Sequence, residues 1–393
     1  MSAASPAVPA ASHITWQEGE QILSALWRSE SGMPAPKRVV IANDQTPADT
    51  AYRLACEGTA LLWRGDFQNA RQLLQAMARR ADTPPKAKRR KAAVQPAAPV
   101  SPAQAFHLHR QAQSQRARTL AMLLIPFEAD YRIDLRRAPD VALACNEAYG
   151  RPTEAFVASL RELLGVIGAH EWRKNGVAVP ALGADARIHP WYGVFSPIRG
   201  EYLQLVADAP LPPACKVAFD IGTGTGVLAA LLARRGIDRI VATDMDARAL
   251  SCARENLARL DVDGKVEVLK ADLFPDGRAD LVVCNPPWLP GRPSSSIEHA
   301  IYDPDSRMLR GFLNGLASHL APGGEGWLIL SDFAEQLGLR TREQLDSWID
   351  AAGLLVAGRI DTRPVHPRAS DAADPLHGAR AAETTSLWRL RAK

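Results

Sequence analysis

The chemistry this sequence can offer is concentrated in one stretch of its second half. Asp220 stands just before Gly222, Thr223, Gly224, Thr225 and Gly226. Asp244 follows roughly 20 residues on, then Asp272, then the run Asn285-Pro286-Pro287-Trp288. Glycines lack Cβ, so a backbone rich in them turns tightly and lets a ligand approach closely. The register Gly222-x-Gly224-x-Gly226 leaves Val227 where a dinucleotide loop asks for its last glycine, and no Gly-Lys-Ser/Thr follows. A carboxylate beside such a loop suits a positively charged group, and one ending the next strand can accept both hydroxyls of a ribose. An Asn oxygen and a backbone carbonyl can accept the two hydrogens of a planar –NH2 group. Successive prolines hold that carbonyl rigidly because each ring fixes φ, and an aromatic ring stacks on a planar partner.

These residues need a frame that brings strand ends together. From Cys215 onward, short apolar runs alternate with helical periodicity. The pattern predicts strands over 216–221, 240–243, 266–269, 281–284 and 326–331, with helices over 226–235, 247–260, 307–320 and 339–352. Two last strands, 354–363 and 384–391, lack a helical pattern between them and predict an antiparallel hairpin. Alternating strands and helices imply a parallel sheet with right-handed crossovers. Such sheets bind ligands at the carboxyl ends of their strands, where Gly222, Asp244 and Asn285 fall. Asp246 is read as a charge at a helix N-terminus.

In this order, the glycine loop, Asp244, Asp272 and the Asn-Pro-Pro-Trp run resemble a class I S-adenosylmethionine (SAM) methyltransferase of the Asn-Pro-Pro-aromatic, HemK-like small-domain group. The resemblance covers roughly residues 191–393. It implies an α/β fold: a seven-stranded, mostly parallel Rossmann-like sheet with an antiparallel terminal hairpin. It implies SAM as cofactor, held by Asp220, Gly222, Thr223, Gly224, Thr225, Gly226, Asp244, Asp272, Leu273 and Asn285. Asp220 would face the cationic methionine end, Asp244 the ribose and Asp272 the adenine amino group, with Leu273 beside the ring. Asn285 and the Pro286 carbonyl would accept from the nitrogen to be methylated; Pro287 stiffens the run, and Trp288 would stack on the acceptor. Tyr or Phe is commoner than Trp at that last position. The segment 192–197 is similar to one lying over the cofactor in these enzymes, which makes Phe195 a candidate contact.

Composition bounds the rest. The chain has 393 residues, 47% hydrophobic and 23% charged, with a net charge of +4. That supports a full core and more than one domain, and permits an anionic partner without demanding one. The five cysteines, at 56, 145, 215, 252 and 284, show no metal or disulfide spacing, which fits reduced thiols in a cytoplasmic protein. No metal and no membrane partner are expected: the apolar run 121–126 is too short to span a bilayer, and the N-terminus does not read as a signal peptide. His107-x-His109 reads as a solvated helix face.

Residues 1–82 read as an N-terminal helical region, with an Ala/Ser/Pro-rich start and helices over 15–30 and 48–81, the latter broken at Gly65-Asp66. The run 65–77 is similar to the second helix of a tetratricopeptide hairpin, in a single copy, and reads as a helical pair. Residues 83–102 read as an extended Pro/Lys/Arg-rich linker carrying Lys86, Lys88, Arg89, Arg90 and Lys91, either a spacer or a contact to RNA phosphates. Residues 103–190 read as a helix-rich substrate-recognition region, with helices over 103–124 and 152–170. The leading expectation is methyl transfer to an exocyclic adenine or guanine amine in RNA, foremost ribosomal RNA, which the basic tether and the Arg/Gln-rich helix over 103–124 favour. The alternative is glutamine methylation of a translation protein. Enzymes of that kind carry a Pro-Arg-Pro-Glu segment before the core, where this chain has Ser196-Pro197-Ile198-Arg199-Gly200-Glu201. A non-catalytic binding module is a third reading, disfavoured by the full set of cofactor residues.

Overall fold

The computed structural model describes residues 12–83, 100–151, 154–198, 200–293, 296–365, 371 and 374–393. The chain divides into two compact units, residues 1–99 with 110–170, and residues 100–109 with 171–393.

The first unit is built on a six-stranded sheet. Its elements are β1 (His13–Glu18), β2 (Gln21–Arg28), β3 (Arg38–Ala42), α1 (Ala48–Cys56), β4 (Thr59–Trp63), α2 (Phe67–Asp82), α3 (Pro102–Leu120, whose residues 102–109 fall in the second unit), β5 (Leu123–Phe127), α4 (Ala142–Tyr149), β6 (Phe156–Ser159) and α5 (Leu160–Asn175, whose residues 171–175 fall in the second unit). The strand order is β1-β2-β6-β5-β4-β3, with β3, β4 and β5 parallel. Asp66 caps α2 by accepting from the Gln68 N–H, so the break expected at Gly65-Asp66 is the start of a helix.

This architecture corrects the helical reading of the N-terminal part. Residues 15–30 are not a helix. Ile14 and Trp16 alternate with exposed neighbours along β1, Glu18 pairs with Gln21, and the two-residue loop between them starts with Gly19 at φ 63°. That hairpin turn outweighs the helix-like spacing of Ile22, Leu23, Leu26 and Trp27. Leu61, Leu62 and Trp63 are likewise a strand, buried on both faces between β3 and β5, as central parallel strands are. The helices expected over 103–124 and 152–170 each share their range with a strand, β5 and β6. Because β4 pairs with β5 and β2 with β6, residues from both sides of the 83–102 stretch complete one sheet instead of forming separate helical regions. Residues 84–99, including the basic run, lie outside the described residues, as do residues 1–11.

The second unit continues with β7 (Val177–Ala178), β8 (Arg187–Ile188), α6 (Glu201–Asp208), β9 (Val217–Ile221), α7 (Val227–Arg234), β10 (Arg239–Asp244), α8 (Ala247–Arg259), β11 (Val266–Lys270), β12 (Ala279–Cys284), α9 (Arg307–His319), β13 (Leu320–Ser331), α10 (Phe333–Gln336), α11 (Arg342–Ala351), β14 (Leu354–Thr362), α12 (His377–Ala382) and β15 (Thr385–Ala392). Its seven-stranded sheet runs β11-β10-β9-β12-β13-β15-β14. The first five strands are parallel, and β15 lies antiparallel between β13 and β14. Central strands are apolar on both faces because helices cover both: Ala218, Leu281, Val283, Trp327 and Ile329 pack under α6 and α7, and Phe219, Ile221, Val282, Leu328 and Leu330 under α9 and α11. Helix α7 is buried from Val227 to Ala233, which explains its lack of a polar face. Each fully buried large side chain contributes about 1.5–3 kcal/mol. This two-sided core holds the strand ends rigid where the candidate site sits. The strand order reverses between β9 and β12 at the centre of the sheet, and open α/β sheets bind ligands at the carboxyl ends of the strands beside such a switch point.

Candidate functional site

Strand β9 ends at Ile221, and the glycine loop leads straight into α7. Gly222, Gly224 and Gly226 have φ of 73°, 54° and 81°, a left-handed backbone that L side chains rarely adopt. Gly226 has a second reason to be glycine: a Cβ there would lie 3.2 Å from the Ala253 Cα. A Cβ on Gly224 would meet nothing within 4 Å, so beside this loop the backbone borders open space.

Asp220 is fully buried. Its Oδ2 accepts from the Thr223 hydroxyl at 2.7 Å and the Ala229 N–H at 3.1 Å, while its Oδ1 has no hydrogen-bond partner. Burial pushes the carboxyl up to about 6, against the opposing pull of those two donors. Thr225 is also buried, and its carbonyl accepts from the Asn256 amide at 3.1 Å. Asp244, at the end of β10, accepts from the Gly224 N–H at 3.0 Å through Oδ2 and from the Asp246 N–H at 2.9 Å through Oδ1. Burial raises its carboxyl too. Those bonds aim the carboxylate at the glycine loop and leave each oxygen a further lone pair. Asp246 caps α8 through the Arg248 N–H, as its sequence position led us to expect.

Asp272 and Leu273 follow β11. Leu273 has φ 75°, and its carbonyl accepts from the Thr243 hydroxyl at 2.6 Å, which ties the turn to β10. Asp272 is more than half exposed and pairs with Arg307 at 2.8 Å. Helix α9 receives this turn on one face. Arg307 holds Asp272, Gly311 leaves room for Leu273, whose Cδ1 would lie 2.6 Å from an added Cβ, and Gly315 leaves room for Phe274. The positions 307, 311 and 315 are four apart and so share a face.

Asn285 follows directly on Cys284, the last residue of β12. Its Oδ1 accepts from the Trp288 indole N–H at 2.9 Å. Pro286 is buried and Pro287 half-buried. Trp288 packs against the hydrophobic clusters of both sheet faces. Phe195 is 37% exposed and stands outside the core.

The structure therefore brings Asp220, the glycine loop, Asp244 and Asn285 to neighbouring strand ends, because β9 pairs with both β10 and β12. It also supplies residues that sequence reasoning passed over. Asp303 accepts from the Met308 and Leu309 N–H groups at 3.0 and 3.1 Å and so caps α9. Met308 reaches over the glycine loop, its Cε 2.5 Å from where a Gly222 Cβ would stand. The Asp303-Pro304-Asp305-Ser306 run before an amphipathic helix was the available signal for the cap. Nothing in the sequence announced Met308.

The residues fit the cofactor the resemblance implies. An orphaned buried carboxylate oxygen at Asp220 suits a cationic methionine end, and the open side of Gly224 leaves space beside Asp244. Among the described residues, no group of three or more His, Cys, Asp or Glu is placed to hold a metal, and no helix is long and apolar enough to cross a membrane.

Comparison with known proteins finds relatives of part of the chain. Residues 203–341 match the family model of the methyltransferase small domain. Over 144 residues the chain is 38% identical to the ribosomal protein L11 methyltransferase of Pelotomaculum thermopropionicum, covering 36% of this chain and 39% of that one. It is 31% identical over 162 residues to the release factor glutamine methyltransferase of Cereibacter sphaeroides, covering 37% and 55%. It is 34% identical over 132 residues to the tRNA1(Val) (adenine(37)-N6)-methyltransferase of Bacteroides thetaiotaomicron, covering 30% and 54%. The chain thus spans between two fifths and about half of the length of these curated relatives. Residues 203–341, which carry the glycine loop, the carboxylates and the Asn-Pro-Pro-Trp run, are thus a SAM-dependent methyltransferase domain of the small-domain group.

Proposed function

We propose that this protein transfers a methyl group from SAM to a planar nitrogen, an exocyclic adenine or guanine amine in RNA. The observation that carries the reading is the adjacency of strand ends: Asn285 follows β12 beside the glycine loop of β9, with Asp244 on the far side of that loop. Bound SAM supplies an electrophilic methyl on a sulfonium. Asp220, through its partnerless Oδ1, balances the cationic methionine end. Asp244 receives the ribose hydroxyls, and Asp272 with Leu273 borders the adenine.

A planar amine is a weak nucleophile because its lone pair is delocalised. Asn285 Oδ1 and the Pro286 carbonyl accept its two hydrogens and turn the lone pair toward the methyl. Transfer leaves an acidic ammonium, so no strong base is required at the start. Positioning and electrostatics supply most of the rate.

The name of the Bacteroides relative supports the purine reading, and that of the Cereibacter relative supports the alternative, a protein glutamine amide. Both acceptors are planar –NH2 groups, which is why one motif serves either. Mass mapping of RNA and protein from a strain lacking the gene decides between them. A methyl lost from a purine amine supports the proposal, and one lost only from a glutamine replaces it. Loss of neither, with no transfer in vitro, removes the enzymatic reading. If RNA is the partner, deleting residues 86–91 is expected to flatten the salt dependence of binding, each lost phosphate contact lowering the log–log slope by about 0.7–0.9.

A further inference from the structure

We infer that Trp288 is a positioning residue whose indole N–H fixes the orientation of the Asn285 carboxamide. The inference rests on the proposed function for its consequence and on the geometry for its existence.

An indole N–H is a donor with no acceptor capacity, so its partner must be the carboxamide oxygen and not the amide nitrogen. The bond is 2.9 Å long. It therefore distinguishes the two ends of a side chain that is otherwise nearly symmetric in shape. One lone pair of Oδ1 goes to Trp288, and the other remains for one hydrogen of an incoming –NH2 group. A carboxamide rotated by half a turn would instead present its own N–H groups, donor against donor.

The donor is held still. Cys284, before Asn285, is fully buried in β12, and two prolines fix the backbone between the bonded residues. Beyond Trp288, the Leu289 N–H donates to the Ile301 carbonyl at 3.1 Å, and the Leu289 carbonyl accepts from the Asp303 N–H at 2.8 Å. Asp303 is in turn locked to the start of α9. The indole ring is wedged against the clusters of both sheet faces. The polar edge of the ring is thereby committed to Asn285. This accounts for Trp where Phe or Tyr is commoner: a phenyl ring has no donor, and a phenol carries its donor at the far tip of the ring instead of along its edge.

The test uses the full-length chain labelled with 15N-tryptophan, which has nine indole N–H groups. Trp288→Phe identifies the Trp288 signal by its loss. In Asn285→Ala that signal is expected to shift and to exchange with solvent at least several-fold faster, the other indoles staying in place. An unmoved, equally protected Trp288 signal overturns the inference. Transfer is then measured with labelled SAM and bulk RNA and protein from a strain lacking the gene. Trp288→Phe is expected to lower kcat roughly three- to tenfold, the worth of one neutral hydrogen bond. KM for SAM and affinity for S-adenosylhomocysteine should stay within twofold. Benzothienylalanine at position 288 keeps the ring shape and loses the N–H, and is expected to behave as Phe does. Full kcat with that isostere overturns the positioning role. If the wild-type chain methylates neither pool, the proposed function fails, and the indole measurement still decides the inference.

Discussion

In the first unit, the carboxylates just beyond β3 and β4 are consumed within the protein. Asp44 accepts from the Asp66 N–H and the Asn69 amide, both at 3.0 Å. Asp66 accepts from the Gln68 N–H at 2.9 Å and from Arg137 at 2.6 Å. The loop glycine there, Gly65, is required by packing, since a Cβ would lie 2.5 Å from an Asp44 oxygen. In the second unit, the strand ends of β9 and β10 carry the same kinds of residues to a different end. Asp220 keeps a buried oxygen without a partner, and Gly224 faces open space. Both sheets have parallel strands ending in loops with carboxylates; among the described residues, Asp220 is the carboxylate with a buried oxygen that lacks a partner. A carboxylate at a strand end is thus no sign of a site until its hydrogen bonds are accounted for.

The sharpest way to break this contrast is at the strand-end amide: Asn43, after β3, accepts from the Gln45 N–H of its own turn, whereas Asn285, after β12, accepts from the Trp288 indole. Asn285→Ala is expected to lower kcat by about 100-fold or more while leaving S-adenosylhomocysteine affinity within a few-fold, as for loss of a group that acts mainly in the transition state. Single-turnover transfer with calorimetry reads both, and normal turnover would remove the Asn-Pro-Pro-Trp run from the mechanism. Next, Asp244→Ala is expected to weaken SAM more than tenfold, about 1.5–3 kcal/mol for lost charged hydrogen bonds. Unchanged affinity in a folded variant would dissociate Asp244 from the ribose.

A pH experiment probes the unpartnered carboxylate itself. Asp220 titrates near 6 in the folded chain against an ordinary 3.8. The unfolded chain therefore releases this proton first, and the free protein loses stability as pH rises from 3.8 through about 6. Affinity for a cationic methionine end rises over the same interval, because the ligand favours the ionised carboxylate. Asp220→Asn should flatten both profiles; a wild-type affinity independent of pH between 5 and 7 would count against the contact.

Smaller effects test the frame. Gly311→Ala is expected to displace Leu273 and weaken S-adenosylhomocysteine a few-fold with little loss of melting temperature, since the Leu side chain can shift away from its 2.6 Å approach. The smallest effect on ligand is expected in the first unit. Asp66→Asn, which removes the charge paired with Arg137, should lower the melting temperature and leave ligand affinity unchanged. A ligand effect there would mean that the two strand-end clusters are not as different as their hydrogen bonds indicate.

The second unit was legible in the sequence because its signals are local. A glycine loop between strand and helix, apolar runs bounded by turns and a proline-stiffened strand exit are each set by neighbours a few residues apart. Strands β9 to β12 accordingly lie within two residues of their expected positions. The N-terminal half misled because short apolar runs such as Leu61-Leu62-Trp63 satisfy a helix or a buried strand equally well. Only the pairing of β4 with β3 and β5 decides between them.

By itself, then, the sequence determined the glycine loop, the order of the carboxylates and the presence of an amide at a strand end, since these depend on backbone freedom and residue type. The tertiary structure alone decided how each is used. It buried Asp220 so that one oxygen is stranded, turned Asp272 toward Arg307, laid Met308 over Gly222 and closed the Trp288–Asn285 bond. Those outcomes depend on which groups meet across the sheet and along α9, where a hydrogen bond is made or left unmade by distances no spacing in the chain encodes.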